Sequence, residues 1–158
     1  MKTLQIEESK ARSIYKTASS ELKIMLEDTF GKEFFSQKVT DRIKTYEDAC
    51  AELGITPIDE SVLLSNGFTK DEIAYRKIKT ITEALNEGWK PNWNDENQKK
   101  WIPWFYPNSS SGFVFFSTYY DCSAAFAGYG LRLCFKSDEL ATYAGKQFTE
   151  LYKDFILT

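Results

Sequence analysis

The stretch Trp101–Tyr120, "WIPWFYPNSSSGFVFFSTYY", decides how the rest of the chain is read. Its two ends, 101–106 and 112–120, are dense in aromatic and β-branched residues, which favour a pleated, half-buried surface. Between them lies "PNSSSG", a run of residues suited to turns. The pattern predicts an antiparallel hairpin with a connection of about five or six residues. With a strand period of two, Trp101 and Pro103 belong to one face, and Ile102 and Trp104 to the other. Downstream, "GLRLCFKS" (130–137) alternates Leu131, Leu133 and Phe135 against Arg132, Cys134 and Lys136, as a third strand would. Ser137 then caps a final helix with Asp138 and Glu139 in its first turn. Its apolar stripe is Leu140, Ala144, Phe148, Leu151 and Phe155.

Upstream of the hairpin the period changes. Thr69 followed by Glu72 is a capping-box pattern. Ala74, Ile78, Ile81 and Leu85 continue it as one helical stripe, and Gly88 closes it. Thr45 with Asp48 opens a shorter helix that stops at Gly54. The segment "ITPIDESVLLSNGF" (55–68) reads as a linker, with a turn at Asn66-Gly67. Further helices are expected over 7–17 and from Ser19 or Ser20 to Phe30, ended by Gly31. Phe34 and Phe35 follow in a less regular loop or short helix. The expected architecture is therefore α+β: N-terminal helices, a three-stranded antiparallel sheet, and a C-terminal helix covering one sheet face. Residues 1–44 form a helical extension and 45–158 the α+β domain, or the two make one compact unit.

Composition narrows the chemistry. The 158 residues carry 42% apolar and 27% charged side chains with a net charge of −3, the profile of a globular chain. Of the 25 aromatic residues, 18 fall after residue 88. There is no histidine, which removes Ser-His-Asp and Cys-His nucleophile pairs, His-ligated zinc and His general bases. The acidic balance argues against a general phosphate-backbone binder. Cys50, Cys122 and Cys134 match no zinc spacing and fit a reducing compartment. The N-terminal "MKTLQIEESKARS" lacks an apolar core of signal-peptide length, and no apolar run is long enough for a bilayer, so the chain reads as cytoplasmic and without a membrane partner.

Candidate sites are correspondingly few. All four tryptophans lie within Trp89–Tyr106. Trp93, Trp101, Trp104 and Tyr119 could stack on a carbohydrate or a single-stranded nucleic acid, or form the core a small sheet needs. Arg132 and Lys136 share a strand face and could grip an anion, or could be solvated edge charges. Asp121 beside Tyr119 and Tyr120 could act as an acid or base in a pocket, or simply end a strand. The polar "NWNDENQ" fails the EF-hand pattern: counting from Asn92, position six is Asn97 and position twelve is Pro103. Gly112, Gly128 and Gly130 make no phosphate loop, lacking the Gly-Lys-Ser/Thr run. No catalytic residue, metal ligand or cofactor site is assigned.

The blocks "KTYEDACAELGI", "EALNEGWKPNWN", "SGFVFF" and "RLCFKSDELATYAGKQF" resemble a family of uncharacterised proteins recurrent in gut Bacteroidetes, their phages and related mobile elements. The resemblance covers residues 45–158, with the preceding stretch as an extension found in some members. It departs where similar proteins show Gly-Ser-Arg-Leu-Cys-Phe and this chain has Gly130-Leu131-Arg132-Leu133-Cys134-Phe135. The resemblance attaches no activity to the chain. Together these readings describe a non-enzymatic binding or interaction protein whose partner is a protein, with a small carbohydrate- or nucleic-acid-stacking module as the alternative.

Overall fold

The computed structural model describes residues 6–110, 112–122 and 133–158. Helices α1 (Glu8–Thr17), α2 (Ser20–Phe30), α3 (Lys32–Ser36) and α4 (Val39–Arg42) lead into α5 (Tyr46–Leu53), α6 (Glu60–Ser65) and α7 (Lys70–Leu85). Strands β1 (Lys100–Ser109) and β2 (Gly112–Asp121) follow, then α8 (Asp138–Gln147) and α9 (Thr149–Leu157). The class is α+β, with one two-stranded antiparallel sheet among the described residues. The Thr45/Asp48 and Thr69/Glu72 capping boxes both form, each satisfying two otherwise orphaned donors. Ser19 and Ser137 accept from Leu22 and Leu140 in the same way.

Three expectations about element boundaries are corrected. The segment 55–68 is not a plain linker: Asp59 accepts from the N–H groups of Ser61 and Val62 and starts α6. The C-terminal helix breaks at Phe148, whose backbone (φ −113, ψ 29) leaves the helical region, so α9 begins a new element. The hairpin connection is shorter than predicted, because Ser109 pairs directly with Gly112. Gly112 adopts φ +85, a left-handed conformation that a side chain would resist.

The third strand is the main difference. Residues 130–132 lie outside the described part of the structure, and within the described part the expected strand is one bridge, Trp101 to Phe135. Trp101 and Phe135 exchange both backbone hydrogen bonds, at 3.0 and 2.7 Å. The next narrow pair along that edge would need a donor from position 103, which is proline. Proline has no N–H, so the ladder cannot propagate. Period-2 alternation is legible in the segment itself, whereas the missing donor lies some thirty residues upstream, on β1.

What flanks Phe135 is instead a side chain. Asn86, at the C-cap of α7, is buried; its Nδ2 donates to the Cys134 carbonyl at 2.8 Å and its Oδ1 accepts the Lys136 N–H at 2.9 Å. One amide thus satisfies the Cys134 and Lys136 backbone groups that point away from β1 on either side of Phe135, doing what a neighbouring strand would do. Segment 134–136 is held between β1 and the end of α7.

The core runs through this junction. Ile78, Ile81 and Leu85 of α7 join Phe105 and Phe113 of the hairpin, Phe135, and Leu140, Ala144 and Tyr152 from the C-terminal helices. Helix α8 packs on both strands and α7 lies between α5 and α9. At Gly145 the approach of α8 to the hairpin is so close that a Cβ would lie 2.9 Å from Pro103 Cβ and collide with the Phe115 ring. Val39 and Ile43 also belong to the core. Tyr143 and Gln147 of α8 donate to the Ile43 and Lys44 carbonyls at 2.5 and 2.9 Å. The chain is therefore bonded into the α+β unit from Val39 onward.

Replacing Asn86 by Ala leaves the buried Cys134 carbonyl and the partly buried Lys136 N–H without this partner. The expected outcome is a loss of about 2–3 kcal/mol, read from the shift of the urea midpoint at unchanged slope.

Candidate functional site

Strand alternation separates the two faces of the hairpin. Pro103, Phe105, Phe113 and Phe115 turn toward α8 and the core, while Trp104 and Tyr106 turn away. Opposite them on β2 the register slips between Trp104 and Phe105: Trp104 pairs with Ser117 and Phe105 with Phe115. Phe116 is the extra residue of this bulge, and its ring is delivered to the outer face. Trp104, Tyr106, Phe116 and Tyr119 share that face, while Tyr120, paired with Trp101, belongs to the Pro103 face at the open end of the hairpin. Trp104, Tyr106, Phe116, Tyr119 and Tyr120 are each between 39% and 53% exposed.

The rings touch one another. Tyr106 and Phe116 lie 4.2 Å apart between centroids, Trp104 and Tyr119 6.0 Å, and Tyr119 and Tyr120 6.2 Å. Trp101 packs on Tyr120 at 4.8 Å, and the Lys99 ammonium sits 4.2 Å above the Tyr120 ring. Most of the pairs are inclined: 42° for Tyr106–Phe116, 67° for Trp104–Tyr119 and 53° for Trp101–Tyr120. Inclined, edge-on contacts are the favoured geometry for quadrupolar rings packing on each other. They give a ridged apolar surface rather than a row of coplanar platforms.

The polar knot ahead of β1 has a structural role. Asn92 and Asp95 each accept a hydrogen bond from the N–H two residues on, at 3.0 and 2.9 Å, and Gln98 Oε1 accepts from the Asn92 N–H at 2.6 Å. These are side-chain-to-backbone turns of the kind Asn and Asp favour. At their centre is Lys100, almost fully buried. Its ammonium donates to the carbonyls of Gln98 at 2.8 Å, Cys122 at 2.5 Å and Asp95 at 3.5 Å, and lies 4.8 Å from the Trp93 ring centroid. One cation therefore ties the 92–98 turn to the far end of β2.

Of the candidates read from sequence, Trp104 and Tyr119 come together on the outer face. Trp101 lies at its margin on Tyr120. Trp93 is partly exposed, but its ring belongs to the Lys100 cluster. Lys136 is ion-paired with Glu87 at 3.1 Å and donates to the Asn86 carbonyl at 3.4 Å, so its charge is committed to the α7 junction. Arg132 lies outside the described residues. Asp121 pairs with Lys100 in the strand register and accepts the Cys122 N–H at 2.6 Å. Burial pushes the Cys134 thiol up to about 11, away from thiolate chemistry. Among the described residues no group of three or more His, Cys, Asp or Glu side chains could hold a metal ion, and no helix is long and apolar enough to cross a membrane.

Sequence reasoning missed Tyr106, Phe116, Tyr120 and Lys100. Tyr106 follows from continuing the Trp104 alternation to the end of the predicted strand. Phe116 follows likewise once Phe113 and Phe115 face inward, but the bulge that turns Tyr119 to the same side leaves no mark in the period.

Glu87 collects three cations: Lys136, Arg42 at 3.0 Å and Lys16 at 3.6 Å. Partial burial pushes its carboxyl up, but the hydrogen bond from Lys136 and the charges of Lys16, Lys136 and Arg42 outweigh this and hold it below the ordinary value of 4.5. A carboxylate depressed in the folded state stabilises above its unfolded value and loses that contribution as pH falls through the folded one. The wild type should therefore lose stability more steeply than Glu87→Gln below about pH 4.5, as measured by urea unfolding across a pH series. For Lys100→Met, which keeps the stem and removes the three charge-assisted bonds, a loss of about 2–3 kcal/mol is expected in the same assay.

No protein-family model matches this sequence, and no curated protein or solved structure matches it.

Proposed function

We propose that this protein is a non-enzymatic, cytoplasmic binding protein, of the phage- and mobile-element-associated kind its sequence resembles, and that it engages another protein through the outer face of the β1–β2 hairpin. The observation that carries the reading is the set of exposed rings Trp104, Tyr106, Phe116 and Tyr119 on one side of the hairpin. Four rings of this size that each expose about half of about 200 Å² present roughly 400 Å² there. A patch that large on a monomer is commonly functional. Tryptophan and tyrosine are also the residue types that dominate binding energy at the centre of protein interfaces. The patch is smaller than the roughly 800 Å² each partner contributes to a stable interface. It therefore suits the centre of one, with the polar 92–99 turn and Lys99 as part of the rim.

The alternative, stacking of a carbohydrate or a single-stranded nucleic acid, finds support in the Lys99 ammonium above Tyr120 and near Trp101. Two features weigh against it. Successive bases need ring faces presented in series, whereas these rings are inclined against one another. The chain is also net acidic, so long-range attraction for phosphate is lacking.

The test is a Trp104→Ser/Tyr119→Ser double variant. Both side chains are substantially exposed, so its unfolding free energy should lie within about 1 kcal/mol of wild type. Tagged wild type should capture a partner protein from host extract that the double variant does not, while glycan and oligothymidylate panels leave the tryptophan fluorescence of both unchanged. Saturable quenching of the wild type by an oligothymidylate or a glycan, absent in the variant, replaces the protein reading with the stacking one. Equal capture by both proteins removes the aromatic face from either.

A further inference from the structure

A different observation concerns the first three helices. The main core contains no side chain before Val39 among the described residues. Helices α1–α3 have a separate cluster of their own. Tyr15 stacks on Phe35 with centroids 4.1 Å apart, Phe30 on Phe34 at 5.2 Å, and Phe34 meets Phe35 edge-on at 4.9 Å. The Arg12 guanidinium lies 3.6 Å over the Phe34 ring and donates to the Phe34 carbonyl, and the Tyr15 hydroxyl donates to Glu27. These contacts bind the three helices to one another.

Their contact with the remainder is of another kind. Helix α1 lies along α5, and an open groove runs on either side of it. One, of about 360 Å³, is lined by Ser9, Arg12, Asp41, Arg42 and Glu52 among others. The second, of about 250 Å³, includes Ser9, Arg12, Lys16, Glu52, Glu83 and Glu87 in its walls. The two grooves share Ser9, Arg12 and Glu52, and the one buried residue of α1 is Ala11. An alanine buries little apolar surface, and burial of such surface is what normally fastens one helix to another.

Charge takes its place. Arg12 and Lys16 of α1 face Glu52, Glu83 and Glu87, with Lys16 and Glu87 3.6 Å apart. The half-buried Arg42 stands in the same groove as Arg12 and repels it, while its own pairing with Glu52 and Glu87 offsets that repulsion. The Arg12 pKa is accordingly lowered, first by burial and then by Arg42, with Glu52, Glu8 and Glu87 acting the other way. Between α3 and α4 the chain passes through only Gln37 and Lys38, both extended (φ −61, ψ 129 and φ −63, ψ 145). A short extended link between packed units is where a hinge rotation is absorbed.

We propose that residues 8–36 form an arm that undocks from the body as a unit, pivoting at Gln37–Lys38, when the charges of Glu52 and Glu87 are screened or removed. The device makes access to the face beneath α1, around Leu53 and Ala84, dependent on ionic strength. It is independent of the aromatic face of the hairpin.

Hydrogen exchange read by mass spectrometry tests this on the full chain. At about 1 M sodium chloride the screening length falls to about 3 Å, against roughly 10 Å at 0.1 M. Amides within 8–36 of the wild type are expected to exchange at least about tenfold faster at the higher salt, while those of α7 and α8 keep their rates. Glu52→Gln and Glu87→Gln should reproduce that pattern at low salt, because each leaves Arg12 facing Arg42 with less compensation. Arm amides that keep their rates in high salt overturn the proposal, and so does acceleration of the arm and α7 by a common factor, which is global unfolding. Should either variant fail to fold, the wild-type salt comparison decides alone.

Discussion

Asn86 is the point through which the two halves of the chain are joined. Its side-chain amide bonds to both neighbours of Phe135, whose own backbone bonds to Trp101. Helix α7, segment 134–136 and strand β1 are thereby fixed in order, side by side. The arrangement works because the group is buried: away from water, an unpaired carbonyl or N–H costs about 1–3 kcal/mol, so the partners have little freedom to separate. A two-stranded hairpin is marginal by itself in water. Here it is held at one edge by that junction and on one face by α8, with Gly145 permitting contact closer than any other residue would allow.

Holding one face leaves the other open. The side chains that look inward, Phe105 and Phe113 above all, are consumed by the core. The bulge at Phe116 shifts the alternation of β2 by one residue, so that Tyr119 joins Phe116 on the outer side. The exposed aromatic surface thus follows from packing on the opposite face together with one register slip. Its rings rest against one another, which lowers the water-exposed area each presents without burying any of them. Nearby charges are mostly engaged: Lys100 on carbonyls, Lys136 on Glu87. What remains free to meet a partner is chiefly apolar and hydroxyl-bearing.

The first three helices follow a different balance. They gain their order from an aromatic cluster of their own, and they meet the body through charged grooves. Apolar burial and ion pairing respond differently to conditions, since salt screens partly exposed charges and leaves buried apolar contacts intact. One chain consequently contains two units whose cohesion and whose mutual contact have different physical origins.

Helix starts are legible in the sequence wherever a local cap marks them. Caps at Thr45, Thr69 and Ser137 depend on bonds within three residues and form as read. The hairpin was equally legible, because clustered aromatic and β-branched residues around a turn leave few alternatives. The absence of histidine excluded whole classes of catalysis before any coordinates. Short helix α6 was missed although its Asp59 cap was visible, since Pro57 and Asn66-Gly67 pointed to a linker. Long-range packing sets what the described residues after 132 become, where Pro103 withholds a donor and Asn86 stands in for a neighbour. It alone placed Lys100 among carbonyls and Lys136 on Glu87, and brought Phe116 beside Tyr106. Those outcomes depend on partners tens of residues away, and on a bulge that leaves no period in the sequence.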